Sequence, residues 1–399
     1  MRRYKIGVTS SVGRGCVAVL ALNLLSISLF CGVAGAKAVL TSTQKMAAGR
    51  GYSMSIRFDG TLWAWGDNES GQLGDGTTSD KTVPVQVGSG RDWAAVAAGV
   101  YHTVAVKSDG TLWTWGGNRS GQLGDSTTAD KTTPVRVGTG RDWAAAAAGT
   151  FHTVAVKTDG TLWAWGGNCY GQLGDGTTTD RTTPVQVGTG SDWAAVAAGY
   201  FHTLALRTNG TLWAWGGNDH GQLGDGTRAP RNAPVQVGSG RDWASVAVGY
   251  VHSVALTTDG TLWAWGENNC GQLGNRTTDY KTGPIQVGSD RNWAAVAAGF
   301  FQTAAVKTDS SLWAWGRNWH GQLGDGTTAN KTTPVQAGGG SAWAGVAVGN
   351  SHTLALKTDG SLWTWGGNRF GQMGDGTTSP TYHPPAVTVS GNYSPLSSR

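Results

Sequence analysis

The chain repeats itself every fifty residues. The stretch TLWTWGGNRSGQLG, Thr111 to Gly124, has counterparts whose leading Trp falls at Trp63, Trp113, Trp163, Trp213, Trp263, Trp313 and Trp363. A period of this size, with strand-like and Gly-punctuated units, marks an array in which each unit buries its faces against its neighbours. It constrains the fold more than length does, since 399 residues alone would suggest two or three domains. Seven copies account for residues 44–392 and leave an N-terminal stretch and a short tail, 393–399. The excess of Trp belongs to the repeat. Of 21 Trp, fourteen are the W-x-W pairs, six are Trp93, Trp143, Trp193, Trp243, Trp293 and Trp343, and only Trp319 falls outside the pattern.

In the second copy, Ala94 to Gly99, His102 to Lys107 and Thr111 to Gly116 read as three strands, and Val135 to Val137, after Pro134, as a short fourth. Asp109-Gly110, between the second and third, is a hairpin signal in which both central residues want φ > 0. Four strands in sequence order make an antiparallel meander. Along the third strand Trp113 and Trp115 share one face, and Leu112 and Thr114 the other, because side chains alternate. Both faces are apolar, so each sheet must be covered on both sides, and the bulky face of one copy suits the slighter face of the next. An open solenoid would need terminal copies with a polar outer face. The seventh copy, SLWTWGGNRFGQMGDG, is as apolar as the third. The expected fold is therefore all-β, a closed seven-bladed β-propeller of four-stranded antiparallel blades whose chain ends meet within or beside one blade.

The motifs HT-x-A-hydrophobic-K-x-DG, W-x-W-G-x-N-x-x-GQLG-DG and the Pro that follows resemble the repeat of the regulator of chromosome condensation family, over about residues 44 to 390. The resemblance implies a seven-bladed propeller. Through the eukaryotic namesake it also raises guanine-nucleotide exchange on a small GTPase, although the regular copies leave no room for an inserted wedge or a basic tail. An exported β-lactamase inhibitor with a propeller of this type raises inhibition of a secreted enzyme. Because one fold hosts many functions, the sites must decide.

Residues 1–36 read as an export signal: a basic start, MRRYK, then the apolar run Val17 to Phe30, then Ala34-Gly35-Ala36 ahead of Lys37. A run of fourteen is short for a membrane span. A twin-arginine route through Arg2-Arg3, a lipid-modified Cys31 and an uncleaved anchor remain open. Cleavage after Ala36 would leave a short leader, 37–43, and an exported protein (periplasmic, cell-surface or extracellular) with no membrane attachment, out of reach of cytosolic GTPases. Four of the 30 Lys and Arg lie in the signal, so the body carries 26 against 25 Asp and Glu, behind a whole-chain net charge of +5. These charges are spread singly rather than in a phosphate-binding stripe, and nucleic acid is not an expected partner. Cys169 and Cys270 fall two copies apart at different phases, beyond the roughly 7 Å that a disulfide spans, so two free thiols are expected.

His102, His152, His202, His252 and His352 recur at one phase, interrupted by Tyr52 and Gln302. One ligand per blade does not converge at about 2 Å on one ion, so these side chains are read as structural hydrogen-bonding groups; no metal or cofactor is expected. Asp59, Asp109, Asp159, Asp259, Asp309 and Asp359, with Asn209, are explained by the hairpin, and Asp309-Ser310 alone departs from the following Gly, which predicts strain there. The recurring Asn of the second motif, Asn118 in the second copy, suits a side-chain-bonded bend. No nucleophile stands beside a base and no phosphate loop or carboxylate pair is present, so catalysis is not expected and a hydrolase or lyase is disfavoured.

Otherwise near-identical copies differ at two places. One is the pair after the repeated Asn, for example Arg119-Ser120; the other is the pair before the His phase, for example Val100-Tyr101. In a meander the first and third turns emerge on one face, so both variable sets share it. Tyr101, Phe151, Tyr170, Tyr200, Phe201, His220, Phe300, Phe301, Trp319, His320, Arg369 and Phe370 are the candidate partner-binding residues. Aromatic side chains and Arg are enriched at protein-binding hot spots, and variable loops on a rigid scaffold are where function sits. The sequence thus points to an exported, non-catalytic binding scaffold for an unknown protein or other macromolecule, expected to be a monomer.

Overall fold

The computed structural model describes residues 45–389 apart from residue 241. The export signal, the leader and the C-terminal tail read from the sequence lie outside the described residues. Seven four-stranded antiparallel sheets follow one another in chain order, each made of four consecutive strands. In the second blade these are Trp93–Ala98 beside the central axis, His102–Lys107, Leu112–Gly116 and Lys131–Arg136 at the rim.

The outer strand begins three residues before Pro134 rather than after it. It is an edge strand with a register shift, pairing Thr114 with Val135 and then Gly116 with Lys131, so the missing Pro N–H breaks no ladder. The hairpin also differs from the expected turn. Gly110 donates to the Lys107 carbonyl at 3.0 Å and Lys107 to the Thr111 carbonyl at 3.0 Å, with Gly110 at φ 78° and Asp109 not among the positive-φ residues. This is a three-residue loop closed by a left-handed Gly, not a two-residue turn with two positive φ values. Asp109 is held by its Oδ1, which accepts from the Thr111 hydroxyl at 2.7 Å and the Thr111 N–H at 3.0 Å. The strain expected in the sixth hairpin is visible as Ser310 at φ 62°.

Neighbouring blades pack large against small. Trp93, Trp115 and Ala105 of the second blade meet Met54, Leu62, Ala64 and Leu73 of the first. Burying one Trp removes roughly 200 Å² from water, a gross gain of about 5 kcal/mol. The loop after the third strand then locks each blade to the next. Trp115 Nε1 donates to the Gln72 carbonyl at 2.9 Å, and the Thr103 hydroxyl donates to the same carbonyl at 2.8 Å. Gly76 donates to the Thr132 carbonyl at 2.9 Å.

Closure uses this same lock. Trp65 Nε1 and the Ser53 hydroxyl both donate to the Gln372 carbonyl at 2.9 Å, and Gly376 donates to the Thr82 carbonyl at 2.9 Å. Met46 and Trp65 of the first blade share a core with Leu354 and Leu362 of the seventh. The first and last described strands, Met46–Ala48 and Ser379–Thr388, therefore belong to adjacent blades, and none of the seven described sheets combines strands from both.

The recurring histidines stitch the ring from inside. His102 Nε2 lies 2.9 Å from Thr153 Oγ1 of the next blade, and His352 Nε2 lies 3.0 Å from Ser53 Oγ across the closure. Where Tyr52 and Gln302 replace His, the Tyr52 hydroxyl donates to the His102 carbonyl at 2.7 Å and Gln302 Nε2 to the Gly349 carbonyl at 2.9 Å. Cys169 and Cys270 are free, as expected from their phases.

Candidate protein-recognition face

The turn after each innermost strand is tight because the blades converge there. In the second blade Gly99 donates to the His102 carbonyl at 2.8 Å, and a Cβ on Gly99 would lie 2.4 Å from the Gly149 carbonyl oxygen. Glycine is therefore required, and the two residues after it are the turn's tips. The tip after the third strand is built by a buried Asn. Asn118 Nδ2 donates to Asp125 Oδ1 at 3.1 Å and to the Thr127 and Ala129 carbonyls at 3.0 and 3.1 Å, while its Oδ1 accepts from the Leu123 N–H at 3.0 Å. Gln122 Oε1 accepts the Ser120 N–H at 2.9 Å, which leaves only the side chains at 119 and 120 without a part in the bend.

Both sets of tips meet on one face. A Cβ on Gly217 would lie 3.3 Å from Phe201 Cβ and 3.7 Å from Tyr170 Cβ, so the first turn of the fourth blade adjoins the third turn of the third. From blade to blade the rings form a continuous arc. Tyr101 and Phe151 have centroids 5.9 Å apart, Phe151 and Phe201 6.2 Å, Tyr200 and Tyr250 3.9 Å, and Tyr250 and Phe300 4.3 Å. Phe301 joins at 5.7 Å from Tyr250, and Tyr170 rests on Phe201 at 4.5 Å. Trp319 is attached through a cation: the Arg317 guanidinium lies 4.1 Å from the Trp319 ring and 5.7 Å from Phe301. Trp319 is 59% exposed and Tyr170 38%.

The remaining candidates are placed differently. Phe370 covers Gly51, where a Cβ would come within 2.8 Å of its ring, and the Arg369 guanidinium stands 5.6 Å from Phe370. It thus occupies the first blade's place in the circle. Arg50, whose guanidinium reaches the Tyr101 hydroxyl at 3.5 Å, leads from this sector to the arc. His220 lies outside the arc, 5.3 Å from Tyr280, beside a polar group in which Asn269 Nδ2 donates to Glu267 Oε1 and the Tyr280 hydroxyl at 2.8 and 2.7 Å. His320 is half-buried, and burial followed by the Arg317 charge lowers its pKa.

Two participants were missed by the choice of candidates. Tyr250 stacks between Tyr200 and Phe300 and bridges the halves of the arc. Its hydroxyl pKa is raised, first by burial and then by a hydrogen bond with Tyr200. Arg317 stands where four copies have Gly117, Gly167, Gly217 and Gly367, and this internal difference was a readable signal. Two acids in separate sectors of this face are buried enough to affect titration: burial raises the pKa of Asp67, beside Gly51 and Phe370, and of Glu267, beside Asn269 and Tyr280. At the axis the face opens into a narrow cavity of about 80 Å³ lined by the ends of all seven inner strands, Ala-Gly in five blades and Val-Gly at Val248 and Val348, with Arg50, Tyr200, Tyr250 and Phe300 at its edge. Among the described residues no group of three or more His, Cys, Asp or Glu is arranged to hold a metal ion.

The architecture is that of a closed seven-bladed propeller with interblade locks and an aromatic turn face. The RCC1-like domain model matches residues 31–288 and 196–394, and the chain belongs to that family. Prp20p from Saccharomyces cerevisiae is similar in structure, with a TM-score of 0.75 at 22% identity, covering 85% of this chain and 88% of that one; its structure was reported with its binding properties to Gsp1p and histones. Human WBSCR16 is similar at a TM-score of 0.74 and 22% identity, covering 83% of this chain and 94% of that one. Yeast RCC1 (Prp20) bound to Kap60 gives 0.72 at 21%, covering 93% and 91%. No curated protein sequence matches the chain.

Proposed function

We propose that the chain is an exported, monomeric, non-catalytic scaffold that binds a protein partner through its aromatic turn face. The observation that carries this reading is the arc from Tyr101 to Phe301, which crosses five blades at positions that the fold leaves free. A run of aromatic rings with Arg50, Arg317 and Arg369 among them has the composition of a hot-spot surface. Protein recognition also has a precedent in the family, because Prp20p was reported with Gsp1p and histones. Nucleotide exchange is the second reading; its support is the Prp20p relationship, and the export signal speaks against it.

The experiment is affinity capture from the exported fraction, repeated with face variants. Truncating a hot-spot residue costs about 2 kcal/mol or more, so Trp319→Ala with Tyr170→Ala should lower partner affinity at least tenfold with little change in melting temperature. Ser108→Ala with Thr158→Ala, at the opposite turns, should leave binding intact. The reverse pattern would place function on the hairpin face, and specific recovery of a small GTPase with accelerated nucleotide release would favour the second reading. Export is checked by N-terminal sequencing, with Lys37 expected first, or Val39 if the adjacent site is used; intact Met1 found only in the cytosol contradicts it.

A further inference from the structure

On the hairpin face, away from the aromatic arc, a cation is held against Trp in blade after blade. Lys107 Nζ lies 4.9 Å from the rings of both Trp93 and Trp113 and 3.1 Å from Asp92 Oδ1. Lys157 repeats this at 5.0 and 4.8 Å, with Asp142 at 3.1 Å. Arg207 does so at 4.6 and 4.4 Å, with Asp192 at 3.6 Å. Lys307 sits 4.7 and 4.3 Å from its two rings, with Asp290 as its carboxylate at 2.7 Å. The motif is two edge-to-face indoles and one acid around one charged nitrogen.

The fifth blade keeps the indoles and the acid but has Thr257 in the place of the cation. Trp243 and Trp263 stand 6.1 Å apart at 79°, close to the 6.3 Å and 76° of Trp93 and Trp113. The Thr257 hydroxyl is engaged elsewhere, donating to Asp259 Oδ1 at 2.6 Å. A Cβ on Gly90 would lie 3.5 Å from Lys107 Nζ, and one on Gly190 3.8 Å from Arg207 Nη2. Among the described residues, a Cβ on Gly240 would lie 3.1 Å from Asp242 Oδ1 and 3.7 Å from Trp243 Nε1. Consistently, Trp243 is half-buried where Trp93, Trp143 and Trp193 are buried, and Asp242 is exposed where Asp92, Asp142 and Asp192 are half-buried.

We propose that Trp243, Trp263 and Asp242 form a binding site for an organic cation, an alkylammonium or guanidinium group. The ring faces attract a cation through their quadrupoles, and Trp does so best. Asp242 supplies the opposing charge. A weakly hydrated organic cation suits indole faces better than a small metal ion, which needs several oxygen ligands. The site is preorganised, because Trp pairs with the same spacing hold Lys or Arg in the second, third, fourth and sixth blades. The cation comes either from a free small molecule or from a Lys or Arg side chain of a peptide, and the chemistry is shared.

The test follows the indole N–H signals of Trp243 and Trp263 by NMR during two titrations, one with butyltrimethylammonium and one with a short peptide carrying a single trimethyllysine. Saturable shifts with either probe are expected, and which probe binds more tightly assigns the source. Uncharged 3,3-dimethylbutanol, which keeps the branched trimethyl head without its charge, should bind at least tenfold more weakly than the ammonium. Thr257→Lys recreates the arrangement of the other blades and should fold, yet lose at least tenfold in affinity; Asp242→Asn should lose about threefold. The proposal is overturned if neither probe shifts the signals, if the neutral probe binds equally, or if Thr257→Lys binds like the parent. Binding seen only in an Arg241→Ala background would also overturn it, because the chain's own cation would then be the occupant.

Discussion

Acid should open this propeller through its inner ring of histidines, well above the pH at which its carboxylates titrate. The Thr153 hydroxyl gives its proton to the Gln122 carbonyl at 2.8 Å, so it can only accept from His102, which fixes the neutral tautomer with the proton on Nε2. The same logic holds at His152, His202, His252 and His352. In all five rings Nδ1 is buried without a partner, so a second proton would have no acceptor. Burial accordingly lowers the pKa from 6.5 to about 3 for His102, His152, His202 and His252, and to about 4 for His352.

The sign follows from linkage. Because the folded pKa is depressed, the unfolded chain binds the extra protons, so this stability is fully present above about pH 6.5 and is lost as pH falls toward 3. Between pH 7 and pH 5 each histidine costs about 2 kcal/mol, and five cost on the order of 10 kcal/mol, comparable to the whole stability of a typical domain. Asp67 and Glu267, whose pKa values are raised by burial, act with the opposite sign but only near the carboxylate range. Urea unfolding followed by Trp fluorescence at pH 7, 6 and 5 measures the slope. Gln302 already holds this position by donating to the next blade's Gly349 carbonyl. Stepwise His→Gln replacement should therefore remove close to one proton from the slope per substitution. A parent whose stability is flat from pH 7 to 5, or a fivefold Gln variant with the parent's slope, would refute the reasoning.

Ser310→Gly should stabilise by about 1 kcal/mol, read from the denaturation midpoint, because a left-handed residue with a Cβ is strained; an unchanged midpoint would show that the loop through Ala342, at φ 83°, has absorbed the cost. Deleting one whole copy, residues 144–193, should broaden the melt and lower it sharply, since seven identical locks would have to re-close as six; a cooperative melt near the parent's would argue for an open array. Iodoacetamide should label exposed Cys169 before half-buried Cys270, whose thiol pKa is raised by burial, and peptide mapping would show the order.

The architecture was legible because the information sits in a period and in strands apolar on both faces, and neither depends on fine geometry. Where geometry decided, the sequence was less informative. Asp109-Gly110 suggested a two-residue turn, but the bonds from Thr111 hold the Asp carboxylate and leave Gly110 alone left-handed. Pro134 suggested a strand start, yet at a sheet edge it interrupts nothing. For the candidate site, alternation of turns placed the variable tips on one face correctly. Beside the aliphatic Val251, Tyr250 carries no local sign of its role; only convergence of the blades at the axis shows that the first tip residues stack on one another there. His220 shares the variable tip position with Tyr170 and Phe370, but its partner, Tyr280, lies in the long loop of the following blade, a contact that the repeat pattern does not reveal.

The division between the residues that hold the ring and those at its tips bears on function. The bond from Trp Nε1 to the preceding blade's Gln carbonyl is 2.9 Å at all seven interfaces. Two residues upstream of that Gln the tip ranges from Ser70 to Tyr170 and Phe370, with no change in the lock. Tip chemistry is therefore uncoupled from closure. At Ser310 the contrary holds: a side chain where Gly is needed coincides with a rearranged backbone at Ala342. An arc of partly exposed rings that contributes nothing to the locks leaves apolar surface facing outward, which is the observation on which the proposed contact face rests. The fold can carry it because each blade is already satisfied by its neighbours, so the tips can vary without cost to the ring.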